Sequence, residues 1–93
     1  MSQLQTESHE TIENLLTAYS GERNTAARYI AFAVQAEKEG YLGIASLFRA
    51  VAHSEQVHAT NHARALRKLG AELEIRVLPL DVKNTAENLR TAL

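Results

Sequence analysis

Three side chains in this sequence are of the types that bind a divalent metal ion, and their spacing predicts that they meet. Glu55 and His58 lie three residues apart, so on an α-helix both project from nearly the same face. Glu22 interrupts an otherwise apolar series earlier in the chain. An ionised carboxylate in a dry core costs several kcal/mol unless it is paired or bound to a cation. These residue types therefore indicate a metal site inside the protein.

Two long helices must position these three residues. From Thr11 to Lys38 there is no proline, and apolar or small residues recur at spacings of three and four, which predicts a helix over 11–38. The same pattern predicts a second helix over 41–69, with Gly70 as its C-terminal stop. The two apolar faces consist of Ile12, Leu15, Tyr19, Ala26, Tyr29, Ala33 and Ala36, and of Ile44, Phe48, Val51, Ala65 and Leu69.

The short break around Gly40 predicts that the two helices form an antiparallel hairpin. Glu22 lies 18 residues before Gly40, and His58 lies 18 residues after it. A hairpin that turns at Gly40 brings the two residues to the same height. We therefore expect Glu22, Glu55 and His58 to converge.

A long connection and a third helix follow the hairpin. Residues 70–84 contain the only proline and no helical period, and an extended segment of this length reaches about 45 Å, enough to recross the hairpin. Asn84, with Glu87 three residues later, has the pattern of a helix N-terminus. A third helix is therefore predicted over 85–93.

The third segment repeats part of the first. TAENLRTAL at 85–93 matches TIENLLTAY at 11–19 in six of nine positions. Shared helix-capping chemistry accounts for the threonine and glutamate, but less easily for the other matches. We interpret 1–93 as a single domain or half-domain, with one helical hairpin and the opening of a second, either as a fragment of a longer chain or with its remainder absent.

Composition excludes several classes of function. The 93 residues include no cysteine, which excludes disulfide scaffolds, thiolate metal sites and cysteine catalysis. A formal net charge of −1 argues against a nucleic-acid binder or a polybasic membrane anchor. The apolar runs are too short to span a bilayer, and the N-terminus lacks the pattern of a signal peptide, so we expect a cytoplasmic protein.

Three ligands do not complete a transition-metal site. Four-helix di-iron and di-manganese proteins use one Glu from each of two helices and a Glu-x-x-His from each of the other two, so this hairpin supplies half of such a set. The remainder is expected from dimerisation, from domain swapping or from an unseen second repeat. Because two helices enclose too little surface to be stable alone, a homodimer or higher homo-oligomer is expected.

The segments SGERNTAARYIAFAVQAEKEG and SEQVHA, with the three ligands in register, resemble the N-terminal half of the rubrerythrin di-iron domain, in the ferritin-like superfamily. The resemblance extends from Thr11 to Leu93. It implies an all-α, ferritin-like four-helix bundle with two iron ions, or zinc or manganese in their place. It also implies metal ligation by Glu22, Glu55 and His58, and it places Tyr29 near the site as a hydrogen-bond donor.

The activity implied by this resemblance is reduction of hydrogen peroxide, or oxidation of iron as in the ferritins. Full rubrerythrins also carry a rubredoxin iron site made from four cysteines, and this sequence has no cysteine. An external electron donor, such as a rubredoxin-like protein, is therefore implied.

A non-catalytic reading also exists: a helical dimerisation module whose buried Glu and His set only specifies register. Iron content separates the two readings. His62, one turn beyond His58, is more often a packing or hydrogen-bonding residue than a ligand. The remaining titratable side chains of interest are predicted to be solvated, namely His9, His53, Glu37 and Glu39.

Overall fold

The computed structural model describes residues 3–92, with side chains described over 9–92, and this part of the chain forms three α-helices without strands. α1 spans Gln3–Lys38, α2 spans Leu42–Lys68 and α3 spans Thr85–Ala92. α1 and α2 pack against each other as a hairpin, and the molecule measures 56 × 19 × 19 Å. The all-α, ferritin-like hairpin expected from the sequence is confirmed. None of the described helices is long and apolar enough to cross a membrane.

The helix boundaries differ from the predicted ones mainly at the start of α1. The helix begins at Gln3 rather than at Thr11, because the polar residues before the apolar pattern include no proline or glycine to end it. Thr11 therefore lies inside α1, so shared capping chemistry does not explain its match to Thr85. α2 agrees with the prediction to within one residue at each end. Leu93, the last residue of the predicted third helix, lies outside the described residues.

Two glycines end the long helices in the same way. Gly40 and Gly70 have φ angles of 84° and 75°, a left-handed conformation that other residues rarely adopt. After α1, the amide of Tyr41 donates to the carbonyl of Ala36 at 2.8 Å, and the amide of Gly40 donates to Glu37 at 3.1 Å. This pair of bonds is the Schellman motif, and it recurs around Gly70. The hairpin turn is thus set by glycine geometry at Gly40.

The interface between α1 and α2 consists largely of alanine, with apolar clusters on either side of its middle. The cluster nearer the turn contains Phe32, Ala33, Ala36, Ala45 and Phe48. The other cluster contains Tyr19, Ala59, Ala63 and Leu66. Because small side chains let helix axes approach closely, the alanines form most of the contact, with Phe32, Phe48 and Leu66 buried among them.

This packing corrects the apolar face predicted for α2. Of the five apolar residues expected to be buried, only Phe48 is; Ile44, Val51 and Ala65 are half-buried, and Leu69 is exposed. The buried face instead contains Ala45, Phe48, Ala52, Ala59, Ala63 and Leu66. Periodicity weighted by hydropathy selects isoleucine and valine over alanine, so it pointed to the neighbouring face of the helix.

The connection over 70–84 runs back along α1, as its length predicted. The Asn24 side chain donates to the carbonyl of Arg76 at 2.7 Å and accepts from the amide of Leu78 at 2.9 Å. One turn earlier, the Ser20 hydroxyl accepts from the amide of Arg76 at 2.9 Å. Polar side chains of α1 therefore satisfy backbone groups of a segment that has no secondary structure of its own.

α3 begins beside the hairpin turn, where three side chains hold it. Asn84 caps the helix by accepting from the amide of Glu87 at 2.9 Å. The buried Asn88 bonds both backbone groups of Lys83 at 2.9 Å. Glu39, predicted to be a solvated charge, is exposed but accepts hydrogen bonds from the amide of Thr85, at 2.8 Å, and from its hydroxyl. The end of α1 and the start of α3 are thus joined through one carboxylate.

The contact between Glu39 and Thr85 predicts a pH-dependent attachment of α3. The hydrogen bond from the Thr85 hydroxyl lowers the pKa of Glu39, with partial desolvation opposing it and the Thr85 amide and Gln35 adding to it. Because the pKa is lower in the folded chain than in the unfolded chain, the ionised carboxylate favours folding at neutral pH. This contribution is lost as the pH falls through the lowered pKa.

NMR titration of the Thr85 amide checks this prediction. We expect its chemical shift to follow the titration of Glu39 in the wild-type protein and to lose that step in Glu39→Gln. Glu39→Gln should also loosen α3 at neutral pH and have little effect in acid. Glu72→Gln, at an exposed position of the connection, is the matched control. A Thr85 shift with the same acid step in Glu39→Gln would contradict the assignment.

Candidate metal centre

The three predicted ligands meet midway along the hairpin. Glu22 of α1 and Glu55 and His58 of α2 each offer one ligand atom, and these atoms all lie within 4.8 Å of one another. In sequence, Glu22 falls between Tyr19 of one apolar cluster and Phe32 of the other. Glu22, Glu55 and His58 therefore lie between the two apolar clusters. The equal distances of Glu22 and His58 from Gly40 predicted this register, which the glycine turn produces.

Glu22 and His58 are separated by a distance suited to two ligands of one ion. Oε2 of Glu22 lies 3.8 Å from Nδ1 of His58. Donor atoms bound at about 2.1 Å to one ion lie roughly 3 Å apart at right angles and farther apart at wider angles. A small movement of either side chain thus allows both to bind the same ion.

The site opens to one side of the hairpin. Glu22 is only 17% exposed, whereas the His58 side chain is 54% exposed, and Glu55 is intermediate. The sequence indicated a metal site inside the protein, but in the hairpin alone the His58 side chain is at the surface. Its place on α2 lies beside the alanine face, on the border that packing in a single hairpin leaves uncovered. The three ligands are thus partly enclosed by the hairpin, and the His58 imidazole lies on the side that faces solvent.

A fourth side chain, which the sequence analysis did not place among the ligands, contacts the site. Nδ1 of His62 lies 2.5 Å from Oε1 of Glu22, so the two carboxylate oxygens of Glu22 face two different imidazoles. His62 is one turn beyond His58 on α2. The signal in the sequence was its position four residues after His58, on the same face of the helix. From that position we predicted a packing or hydrogen-bonding residue.

Tyr29 lies among aromatic side chains on the turn side of the site. Its ring centroid is 5.9 Å from that of Phe32 and 5.7 Å from that of Phe48. Among the described residues, no hydrogen bond joins its hydroxyl to Glu22, Glu55 or His58. The phenol thus forms part of an apolar wall, and its role toward the metal group stays a prediction.

The remaining titratable residues singled out in the sequence lie away from the site. His9 pairs with Glu13 at 3.0 Å on the surface of α1, and His53 is exposed on α2. Glu37 is exposed and forms an ion pair with Arg49 at 2.6 Å, which links the two helices near the turn. None of these side chains belongs to the described group of metal-ligand atoms.

The donor atoms suit a small group of metals. Two carboxylates and one imidazole are ligands that iron, manganese and zinc accept, whereas the soft thiolates favoured by copper(I) and iron–sulfur clusters are missing from the sequence. The two carboxylates also lie close together, and a cation offsets the repulsion between them. The geometry of the three side chains therefore fits a divalent ion of this group.

Comparison with known proteins decides the family. Residues 13–93 match the family model described as Rubrerythrin. The chain belongs to the rubrerythrin family. Members of this family are iron-binding, ferritin-like helical proteins, and the hairpin with its acidic and histidine ligands is consistent with that fold.

Several curated relatives share the match. A rubrerythrin of Porphyromonas gingivalis is 41% identical over 85 residues, which cover 89% of this chain and 42% of the relative. A putative rubrerythrin of Methanocaldococcus jannaschii is 36% identical over 97 residues, covering 90% and 46%. Nigerythrin of Nitratidesulfovibrio vulgaris is 48% identical over 48 residues, covering 52% and 24%. No solved structure matches significantly.

The chain spans less than half of the length of the curated relatives that it matches. The matched part contains one helical hairpin and one set of three ligands. The match thus shows the family of this hairpin, and the activity of the longer relatives is a matter for proposal.

Proposed function

We propose that this protein supplies half of a di-iron centre that reduces hydrogen peroxide, with electrons from a separate donor. The convergence of Glu22, Glu55 and His58 within 4.8 Å carries this proposal. Membership of the rubrerythrin family supports iron as the metal. The proposed ligands are those three side chains, together with an equivalent set from a second hairpin.

The uncovered face of α2 supports a second hairpin as the source of the remaining ligands. Positions 47, 51, 54, 58 and 65 are spaced as in a coiled-coil seam, with one step of seven, and Leu69 lies one residue beyond the next seam position. Leu47 is 57% exposed, and Leu69 is exposed as well. His58 thus lies within a partly apolar stripe that a second hairpin would cover while bringing its own ligands.

A second copy of this chain, related by a two-fold axis, is the proposed source of that hairpin. A two-fold axis duplicates every ligand, so Glu22, Glu55 and His58 become six ligands from four helices, the number used by four-helix di-iron proteins. Domain exchange through the long 70–84 connection and a second repeat in a longer polypeptide would give the same set. The match between α3 and residues 11–19 supports a repeat, because it is not explained by shared capping.

The residues of the site have distinct roles in this proposal. Glu22 and Glu55 supply the negative charge that offsets the cations, and His58 is the proposed ligand on the solvent-exposed side of the site. The aromatic cluster around Tyr29 excludes water from the turn side, and the Tyr29 phenol is the proposed hydrogen-bond donor to bound substrate or ligand. When bound, the di-iron group supplies the two electrons that, with two protons, convert hydrogen peroxide into two water molecules.

In this proposal the electrons come from a site outside residues 1–93. The sequence contains no cysteine and therefore no thiolate iron site to store them. A rubredoxin-like protein is the proposed donor. Oxidation of Fe²⁺ held by the same ligand set, with O₂ or hydrogen peroxide accepting the electrons as in ferritins, would instead leave Fe³⁺ as the product. A helical dimerisation module would bind no iron.

Loss of a proposed ligand should remove iron from the protein. We expect Glu55→Ala and His58→Ala to abolish iron binding and peroxide-dependent oxidation of the centre. Each should reduce affinity by more than the roughly 10–100-fold that loss of an outer-shell partner costs. Metal analysis with peroxide turnover checks this, and the exposed His53→Ala is the control.

The outcomes of this experiment separate the candidate functions. Wild-type iron loading in either ligand variant would refute the site assignment. Iron that is oxidised and retained without peroxide turnover would favour ferroxidase activity. A wild-type protein that binds no iron and keeps its stability after chelation would favour the dimerisation module.

A charge in the partly apolar stripe of α2 should prevent assembly. Leu47→Glu places a carboxylate where it must lose water on assembly, and about 1.4 kcal/mol of that cost weakens association tenfold. We therefore expect the dissociation constant of the homo-oligomer to rise at least about tenfold. Sedimentation equilibrium measures it, with Val77→Glu, at an 80% exposed position of the connection, as the control. A monomeric wild-type chain, or equal association of Leu47→Glu, would contradict the proposal.

A further inference from the structure

His62 has a contact with the site that the proposed ligand set does not use. We infer that His62 is a positioning residue of the metal centre, donating a hydrogen bond from Nδ1 to one oxygen of Glu22 so that the other oxygen is held toward the ion. The inference rests on the proposed function, since it assigns a role within that centre.

The distance to Glu22 separates a hydrogen-bonding role from a ligand role. Nδ1 of His62 lies 2.5 Å from Oε1 of Glu22. Two donor atoms on one ion lie roughly 3 Å apart or more when each bond is about 2.1 Å long. The pair therefore has the spacing of a hydrogen bond, whereas Oε2 of Glu22 and Nδ1 of His58, 3.8 Å apart, have the spacing of two ligands of one ion.

The chemistry of the two groups assigns the proton. An ionised carboxylate only accepts hydrogen bonds, so the imidazole nitrogen that faces it must carry a hydrogen. In the neutral imidazole this places the proton on Nδ1 and leaves Nε2 unprotonated. The side chain is 34% exposed, less than His58, so the contact with Glu22 is partly shielded from competing water.

Holding one oxygen of Glu22 restricts how the carboxylate can bind. A free carboxylate rotates and binds an ion through either oxygen or through both. With Oε1 bonded to His62, Oε2 is the oxygen left on the side of His58. Hydrogen bonds to ligating carboxylates have this orienting effect in metal sites, and their loss typically reduces metal affinity about 10–100-fold.

Two substitutions distinguish positioning from ligation. His62→Leu removes the hydrogen-bond donor and puts an apolar side chain of similar length in its place. His62→Asn keeps an N–H group at the place of Nδ1 but has no imidazole nitrogen with which to bind a metal. His53→Leu and His53→Asn, made at an exposed position of the same helix, are the matched controls.

Three quantities are measured on the full chain: the affinity for Co²⁺ and Fe²⁺, the number of metal ions bound, and the Co²⁺ absorption spectrum. We expect His62→Leu to bind about 10–100-fold more weakly with the wild-type metal count at saturation. His62→Asn should recover most of the affinity with an unchanged spectrum. Unaltered affinity in His62→Leu overturns the inference. Equal loss in both variants, with a changed spectrum, overturns it in favour of His62 as a ligand.

A measurement without metal separates this inference from the proposed function. In the metal-free wild-type protein, long-range ¹H–¹⁵N NMR should show neutral His62 protonated at Nδ1, and Glu22→Ala should remove this preference. A wild-type protein that binds neither metal refutes the di-iron function and, with it, the role of His62 in a metal centre. Metal binding with His62 protonated at Nε2 refutes only the positioning role.

Discussion

A carboxylate that leaves bulk water needs a partner, and Glu22 is where this requirement acts in the hairpin. Its side chain is only 17% exposed and lies between two apolar clusters. Two imidazoles and a second carboxylate surround it, all of them from α2. Among the residues whose side chains are described, no Lys or Arg is buried, so the group is chemically suited to a cation. The turn at Gly40 sets the register of the two helices, and this register brings Glu22 beside Glu55 and His58.

The alanine interface has a second consequence, because it decides which side chains the hairpin leaves uncovered. Close packing of small residues, with Phe48 and Leu66, buries one face of α2 and leaves other apolar residues, such as Leu47 and Leu69, exposed. The His58 side chain is exposed as well. One structural feature thus accounts both for an exposed ligand and for an apolar surface that a further hairpin can cover. Completion of the metal centre and completion of the core are therefore the same event in the proposed assembly.

Much of the fold was predictable from local patterns. The two long helices, their glycine ends and the Asn84 cap follow from interactions between residues near in sequence. The return of the connection was predicted from its length alone, whereas the contacts that hold it join residues far apart in the sequence. The convergence of Glu22, Glu55 and His58 was also predictable, because a hairpin makes distance from Gly40 a measure of height. The start of α1 was not, since apolar periodicity does not detect a polar helical extension.

The sequence by itself determined the helices, the turn and the height at which the acidic and histidine side chains meet, because each depends on short-range geometry or on counting residues. The tertiary structure decided how far each helix is rotated about its axis, and hence that His58 is exposed and that His62 contacts Glu22. It also decided that Glu39 holds Thr85, 46 residues away. Rotation is set by the sum of many contacts between alanines across the interface, and periodicity in one helix does not contain that information.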